Sequence, residues 1–297
     1  MKMAGLKVVS LNISWEANAY HLHNKLPKSA REWKQSVKGG SQWDTAHHEW
    51  KHNYRKGVLG PAYVKSLRDL RKYGADIILL QEFQEYEGSV KAALNVLNAR
   101  GGTYTVGATD FDGTRHTKSG NVVIYDITKF EALSSESSEV RQALHTVTGA
   151  FPSGRPVAAC MLRNYNDGVE TLAISSHSEH GIQWNQPAFC QRALSALERL
   201  YAARKPRLIW GGDFNKHVRF GKPLRFCGQD VFKVSGGESK RTAHYGSHID
   251  WIFATSTAGG NPVQITNETV RGASDHYIIG IETTAKFSDF VTHNQNV

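Results

Sequence analysis

Apolar positions along the chain fall into short runs separated by polar turns, and the period of each run predicts its element. Residues 6–13 (LKVVSLNI) are β-branched and apolar, the pattern of a buried strand. Residues 62–73 place Val64, Leu67, Leu70 and Arg71 at helical spacing, Gly74 suits a C-cap, and 76–81 (DIILLQ) reads as a second buried strand. A helix is predicted at 88–99, closed by Gly101-Gly102, with strands near 103–107, 120–126, 156–163 and 169–176. The longest helical pattern is 186–204, with Ala188, Leu194, Leu197, Leu200 and Tyr201 on or near one face. RLIWGGD at 207–213 reads as a strand running into a turn. The last strong strands are 248–254, where Trp251 and Phe253 are expected in the core, and 276–283. The polar stretch from Lys286 onward is expected to fray.

Many strands, few helices and several fully apolar runs predict a layered α/β protein built on stacked sheets. No internal repeat or proline-rich linker divides the chain, so a single domain is expected over 1–297. One segment departs from this economy. Residues 15–61 are long and polar, with Trp15, Trp33, Trp43 and Trp50, five histidines and many lysines. A structureless loop of that length is unusual inside a domain, so the segment is expected to be functional, locally folded or mobile. Its tryptophans can stack on bases or form a small satellite core, two readings that rank alike. Its histidines read as solvated, because no carboxylate or cysteine stands at a metal-ligand spacing from them.

Composition narrows the class. A chain of 297 residues, 40% hydrophobic, has material for a sizeable core. No apolar run approaches the length of a membrane span, which needs about 20 residues. No secretory signal is read at the N-terminus, and three scattered cysteines make neither a disulfide framework nor a zinc site, so a cytoplasmic setting is expected. Thirty-six Lys and Arg against 27 Asp and Glu leave a net charge of +9. A basic surface draws polyanions, nucleic acid and anionic lipid alike.

The chemistry-bearing residues cluster at predicted strand ends. Asn12 ends 6–13, Glu82 follows 76–81, His177 follows 169–176, Asp213 and Asn215 follow 207–211, Asp250 opens one late strand, and Asp275 with His276 opens the last. If those ends gather, carboxylates, carboxamides and imidazoles share one pocket. Hard oxygen ligands such as Glu82 and Asp275 suit Mg²⁺ or Mn²⁺, and an imidazole held by a carboxylate can take a proton from water. Taken singly, each has a plainer account. Asp213 and Asn215 are common turn residues, Asn12 and Glu82 can simply end strands, His180 competes with His177, and Arg155 can pair with a surface carboxylate.

As an ordered set, SLNI, LQE, GGDFN, HIDW and SDH resemble the endonuclease/exonuclease/phosphatase superfamily. SSHS at 175–178 is similar to the histidine segment of pancreatic-type deoxyribonucleases, and GRPVA at 154–158 to their phosphate-contacting arginine segment. The resemblance implies a four-layer α/β/β/α sandwich of two packed, mostly antiparallel sheets flanked by helices, and divalent-metal phosphoester hydrolysis. Carried over by position, it makes Glu82 a metal ligand with help from Asn12 and Asp275. His276 oriented by Asp250 becomes general base or transition-state stabiliser, with Asp213 the competing choice of base. Asp213 and Asn215 position nucleophile and phosphate, His177 is the general acid, and Arg155 meets substrate phosphate. Nucleic acid, with DNA ahead of RNA, is the expected substrate. A phosphoinositide or other phospholipid headgroup is the alternative on the same chemistry, and a non-catalytic nucleic-acid-binding module is the second.

Overall fold

The computed structural model describes residues 5–13, 59, 61–84, 88–111, 119–149, 151, 155–216, 224–234, 249–255, 262–269, 274 and 276–283. The insertion at 15–61, apart from Leu59 and Pro61, the tail from 286 and Asp275 therefore lie outside the described residues.

Two sheets form the body. One contains β1 (Leu6–Asn12), β2 (Ile77–Gln84), β3 (Tyr104–Phe111), β4 (Ser119–Asp126), β12 (Pro262–Thr269) and β13 (Tyr277–Thr283), in the order β12-β13-β1-β2-β4-β3. The other contains β5 (Phe130–Ser135), β6 (Val157–Asn164), β7 (Glu170–His177), β8 (Arg207–Asp213), β9 (Leu224–Phe226), β10 (Gln229–Val234) and β11 (Asp250–Thr255), in the order β5-β6-β7-β8-β11-β10-β9. β1–β2 and β7–β8 are parallel and the remaining pairs antiparallel.

Helices α1 (Pro61–Arg71) and α2 (Ser89–Asn98) cover the first sheet, and α3 (Ser137–Thr148) and α4 (Pro187–Tyr201) the second. Three separate apolar clusters mark the three interfaces of this four-layer α/β/β/α sandwich. Leu67, Leu70 and Leu97 pack on Val9, Leu11, Ile78 and Leu80. Val8, Leu79 and Val123 meet Ala173, Ile209 and Ile252 between the sheets. Val140, Leu144, Leu194 and Leu197 pack on Met161, Leu172 and Trp210.

Side chains alternate across a strand, so each strand that serves both a helix layer and the sheet–sheet layer is apolar on both faces. The inter-sheet face, however, changes character along its length. It reads Val8, Ser10, Asn12 along β1; Ile77, Leu79, Gln81 along β2; Ala173, Ser175, His177 along β7; and Ile209, Gly211, Asp213 along β8. β4 and β11 run the other way and begin polar, with Asn121 before Val123 and Asp250 before Ile252. All the polar ends lie at one pole of the sandwich.

The helical face of α4 differs from the expected one. Phe189, Cys190, Ala193, Leu194, Leu197 and Tyr201 are buried, whereas Leu200 is 46% exposed. The helix begins at Pro187, and its first turn is phased by Phe189, which packs edge-on against the buried Trp184 at 5.0 Å.

The paired glycines before Asp213 have a steric cause. A Cβ on Gly212 would lie 2.0 Å from the Ser176 carbonyl oxygen on the neighbouring strand, and one on Gly211 would lie 2.6 Å from Leu79 Cδ1 in the facing sheet. The first is a collision with backbone, which cannot rotate away. Gly212→Ala is therefore expected to cost about 2–3 kcal/mol by forcing β7 and β8 apart. An unchanged denaturant midpoint would refute this.

Candidate active site

Sheet register sets the first row of the site. His177 stands opposite Asp213, and Asp213 opposite Asp250, on three adjacent strands. Asp213 and Asp250 are 2% and 3% exposed. Across the gap, His276 binds Asp250 through Nδ1, 2.9 Å from both carboxylate oxygens, and turns Nε2 toward Asp213 Oδ2 at 3.7 Å. The Asp250 carboxylate thus selects the Nδ1–H tautomer and leaves Nε2 facing the pocket. Asn12 closes the other side, its Nδ2 donating to Glu82 Oε1 and to Asp213 Oδ2, each at 3.1 Å. His177 lies between two carboxylates, Nδ1 3.6 Å from Glu82 Oε1 and Nε2 3.6 Å from Asp213 Oδ2.

Two of these residues reach the pocket through left-handed backbone. Glu82 has a φ of 54° and sits in a β-bulge, where Gln81 and Glu82 together oppose Asn121 alone. Strict alternation would send Glu82 toward the helices with Ile78 and Leu80. The bulge turns its carboxylate to the inter-sheet side. Asn215, with a φ of 51°, closes an Asx turn in which its N–H donates to Asp213 Oδ1 at 2.8 Å. Its Nδ2 lies 3.0 Å from His177 Nε2 and 2.8 Å from the Ser178 carbonyl oxygen, to which it donates.

A layer of supporting residues fixes these groups. The Ser178 N–H donates to the Asp213 carbonyl at 2.8 Å, and the Trp184 indole N–H donates to Ser178 Oγ at 2.8 Å. The Trp210 indole N–H donates to Ser176 Oγ, also at 2.8 Å, so buried tryptophans brace both sides of His177. Ser274 Oγ donates to the Asn12 carbonyl at 2.7 Å and accepts the His276 N–H at 3.0 Å. That contact links the last strand to the first. Ser178 and Ser274 were not singled out from sequence as site residues. The available signal was a hydroxyl within two residues of each histidine, the spacing of a local serine turn.

Crowding of carboxylates shows in Asp213. Burial and the nearby Asp250 and Glu82 push its carboxyl up to about 7, against the opposing pull of His276 and the Asn215 N–H. Such a set of oxygen donors suits a hard divalent cation, which would offset the repulsion. Asp213, Asp250 and His276 bring ligand atoms within 4.8 Å of one another. Glu82 and Asn12 flank the same carboxylate.

The structure brings together Asn12, Glu82, His177, Asp213, Asn215, Asp250 and His276 from six strand ends. Arg155 stands at the edge of this group, before β6. Its Nε is 3.5 Å from Glu179 Oε1, the carboxylate pairing that the sequence had left open.

An acid-and-imidazole pocket at one pole of an α/β/β/α sandwich defines the class. The chain belongs to the endonuclease/exonuclease/phosphatase family, whose model matches residues 64–276. Members of the family are hydrolases acting on phosphoester bonds. Among solved structures, the catalytic domain of human Nocturnin, with a bound sulfate anion, is similar over 95% of both chains, at a TM-score of 0.56 and 17% identity. ANGEL2, a 2',3'-cyclic phosphatase, is similar over 94% of this chain and 95% of its own, at 0.54 and 13%. A mannosyl-6-phosphatase of Bacteroides thetaiotaomicron is similar over 93% and 98%, at 0.52 and 14%. At these identities the likeness is one of fold. No curated protein sequence matches the chain.

Two outcomes follow from the pocket's strain and charge. Asn215→Gly relieves a left-handed conformation that costs a non-glycine residue roughly 1 kcal/mol, so its melting temperature is expected to hold or rise although the amide is lost. A clear fall in melting temperature would show that the amide contributes more stability than the backbone strain removes. Asp213, whose folded value lies above its ordinary 3.8, takes up a proton on folding. Its stabilising contribution is complete below about pH 3.8 and is lost as pH rises through about 7. In EDTA, wild type should therefore lose stability relative to Asp213→Asn across that window, as read by urea midpoints. Parallel curves for the two proteins would contradict this.

Proposed function

We propose that the chain is a divalent-metal-dependent phosphodiesterase that hydrolyses nucleic-acid phosphodiester bonds, with DNA favoured. The observation that carries this reading is the row His177–Asp213–Asp250 closed by His276 and Glu82, in which acid, base and oxygen ligands share one buried carboxylate. The net charge of +9 and Arg155 at the pocket edge favour a polyanionic substrate.

Glu82 and Asn12, with Asp275, would hold the cation, and Asp213 is close enough to share it. When bound, Mg²⁺ or Mn²⁺ would polarise the phosphoryl oxygen and offset the charge that builds there. The chain's own residues do the rest. A water within reach of both His276 Nε2 and Asp213 Oδ2 can lose its proton to either. Asp250 stabilises the imidazolium if the proton goes to His276. The Asn215 amide fixes the His177 ring by donating to its Nε2, so the proton that His177 would give the departing alkoxide is the one on Nδ1, on the Glu82 side.

A substrate panel tests the reading: plasmid DNA, RNA, a 2',3'-cyclic nucleotide, mannose 6-phosphate and phosphoinositide vesicles, each with Mg²⁺ and with EDTA. Cleavage of nucleic acid that EDTA abolishes and added Mg²⁺ restores is expected. His276→Ala and Asn215→Ala should each lower kcat about a hundredfold or more. Turnover of vesicle headgroups or monoesters alone would move the substrate assignment and keep the hydrolase. Nucleic-acid binding with no turnover on any substrate, equal in wild type and both variants, would establish a binding module instead.

A further inference from the structure

The bulge that presents Glu82 has one residue opposite it, and that residue has unusual surroundings. Asn121 is 0% exposed and lies on the inter-sheet face of β4, with Val123 and Tyr125 following it inward. Its Nδ2 crosses to the other sheet and donates to the Pro156 carbonyl at 2.5 Å. The acceptor is a carbonyl, so the amide orientation is fixed, with Oδ1 turned away from that bond. Asn121 Oδ1 is buried without a hydrogen-bond partner among the described residues. A buried asparagine whose amide is half-satisfied is costly, and a leucine of similar volume would avoid the cost.

A second group in the same segment is unsatisfied in the complementary sense. Arg155 precedes Pro156, and its Nε is buried without a hydrogen-bond partner among the described residues. The contact to Glu179 Oε1 at 3.5 Å is an ion pair rather than a bond. The orphan atoms are thus an acceptor on Asn121 and a donor on Arg155, joined through one proline. The segment is also held from the far side, where Asp110 Oδ2 accepts the Val157 N–H at 2.8 Å and the Arg141 guanidinium at 2.8 Å. Asp110 pairs with Asn121 in register, so neighbouring residues of one sheet clamp the start of β6 in the other.

We infer that Asn121 is a positioning residue for Arg155: its Oδ1 accepts the Arg155 Nε–H when the guanidinium turns from Glu179 to a substrate phosphate. With Nε engaged by protein, the two terminal nitrogens are left to meet phosphate oxygens side by side, the fork geometry in which arginine binds phosphate best. Glu179, 41% exposed at its side chain, holds the guanidinium until an anion replaces it. The inference rests on the phosphodiesterase reading and on Arg155 as the phosphate contact.

A double-mutant cycle on a hydrolysed nucleic-acid substrate tests it. Asn121→Ala is expected to raise KM about tenfold, the worth of one hydrogen bond to a charged group, with the larger change in KM rather than kcat. In an Arg155→Ala background the same substitution should add nothing. An equal rise in both backgrounds, a loss confined to kcat, or no change at all would overturn the inference. Asn121→Ser, which keeps a hydroxyl donor for Pro156 and lacks the amide oxygen, guards against misfolding. Its KM should follow Asn121→Ala while its melting temperature stays nearer wild type, and a wild-type KM would overturn the role of Oδ1. If Arg155→Ala leaves KM unaltered in an enzyme that turns over, the arginine contact is refuted and the positioning role of Asn121 with it. If wild type is inert across the panel, the functional reading is what has failed.

Discussion

Side chains that cross between the two sheets at one pole are what the rest of the site depends on. The apolar layer between the sheets is non-directional and by itself fixes neither the slide nor the twist of one sheet on the other. Directional contacts do. Asn12 reaches Asp213, the Gln81 amide donates to Ser175 Oγ at 2.9 Å, Ser175 Oγ donates to the Leu80 carbonyl at 2.7 Å, and Asn121 reaches Pro156. Each joins a strand of the first sheet to the second, the last at the residue that leads into β6. His276 and Asp250 make the same crossing from the opposite direction in the chain. The candidate catalytic groups are themselves part of this seam, so their separations are set by the relation between sheets and not by any one loop.

Holding that seam carries costs that an ordinary core would not. Asp213 is buried beside two other carboxylates, Glu82 and Asn215 occupy left-handed backbone, and Gly212 gives up a side chain so that β7 and β8 can close. Each cost lies within the same few residues, where the surrounding packing can bear it. Trp184, Trp210, Phe214 and Phe253 form a ring-packed cluster directly beneath, with centroids 5.1–5.7 Å apart along the chain of contacts. The indole N–H groups of Trp184 and Trp210 extend that rigidity to Ser178 and Ser176. A stiff aromatic block and a strained polar rim are therefore two halves of one device. The block resists the relaxation that would let the rim escape its strain.

What was legible in the sequence followed burial. β1, β2, β7, β8, β11 and β13 are covered on both faces, so they read as continuous apolar runs, and the strand-end residues could be ordered from them. The elements that escaped notice are the peripheral ones. β5 and β9 are edge strands of the second sheet, β10 lies beside β9, and β12 is the polar edge of the first. α3 buries only Val140 and Leu144 and carries threonines in its last turns, which blurs the helical period. At the site, the residue types were readable because their chemistry is distinctive, and the cross-sheet partners were not. Nothing in a one-dimensional pattern pairs Gln81 with Ser175 or Asn121 with Pro156, since those contacts depend on how two sheets face each other. The bulge at Glu82 was hidden for the same reason: the strand expected over 76–81 runs on to Gln84, and only the partner strand reveals the extra residue.

The division between seam and periphery also bears on substrate. Proteins with this fold include a 2',3'-cyclic phosphatase and a mannosyl-6-phosphatase, so the sandwich and its polar pole do not by themselves choose a phosphoester. Choice falls to groups that touch the parts of the substrate away from the reacting phosphorus. A monoester brings one phosphate and ends there, whereas a nucleic-acid strand brings a phosphate at each neighbouring position. A guanidinium standing off the carboxylate row, paired with an exposed glutamate that an anion can replace, is of use mainly to a substrate of the second kind. Under the proposed function a net charge of +9 would add attraction at a distance without geometric demand, and Arg155 would add geometry at short range. The two would then act on the same substrate feature, a run of phosphates, which is what separates a nucleic-acid strand from a simple monoester.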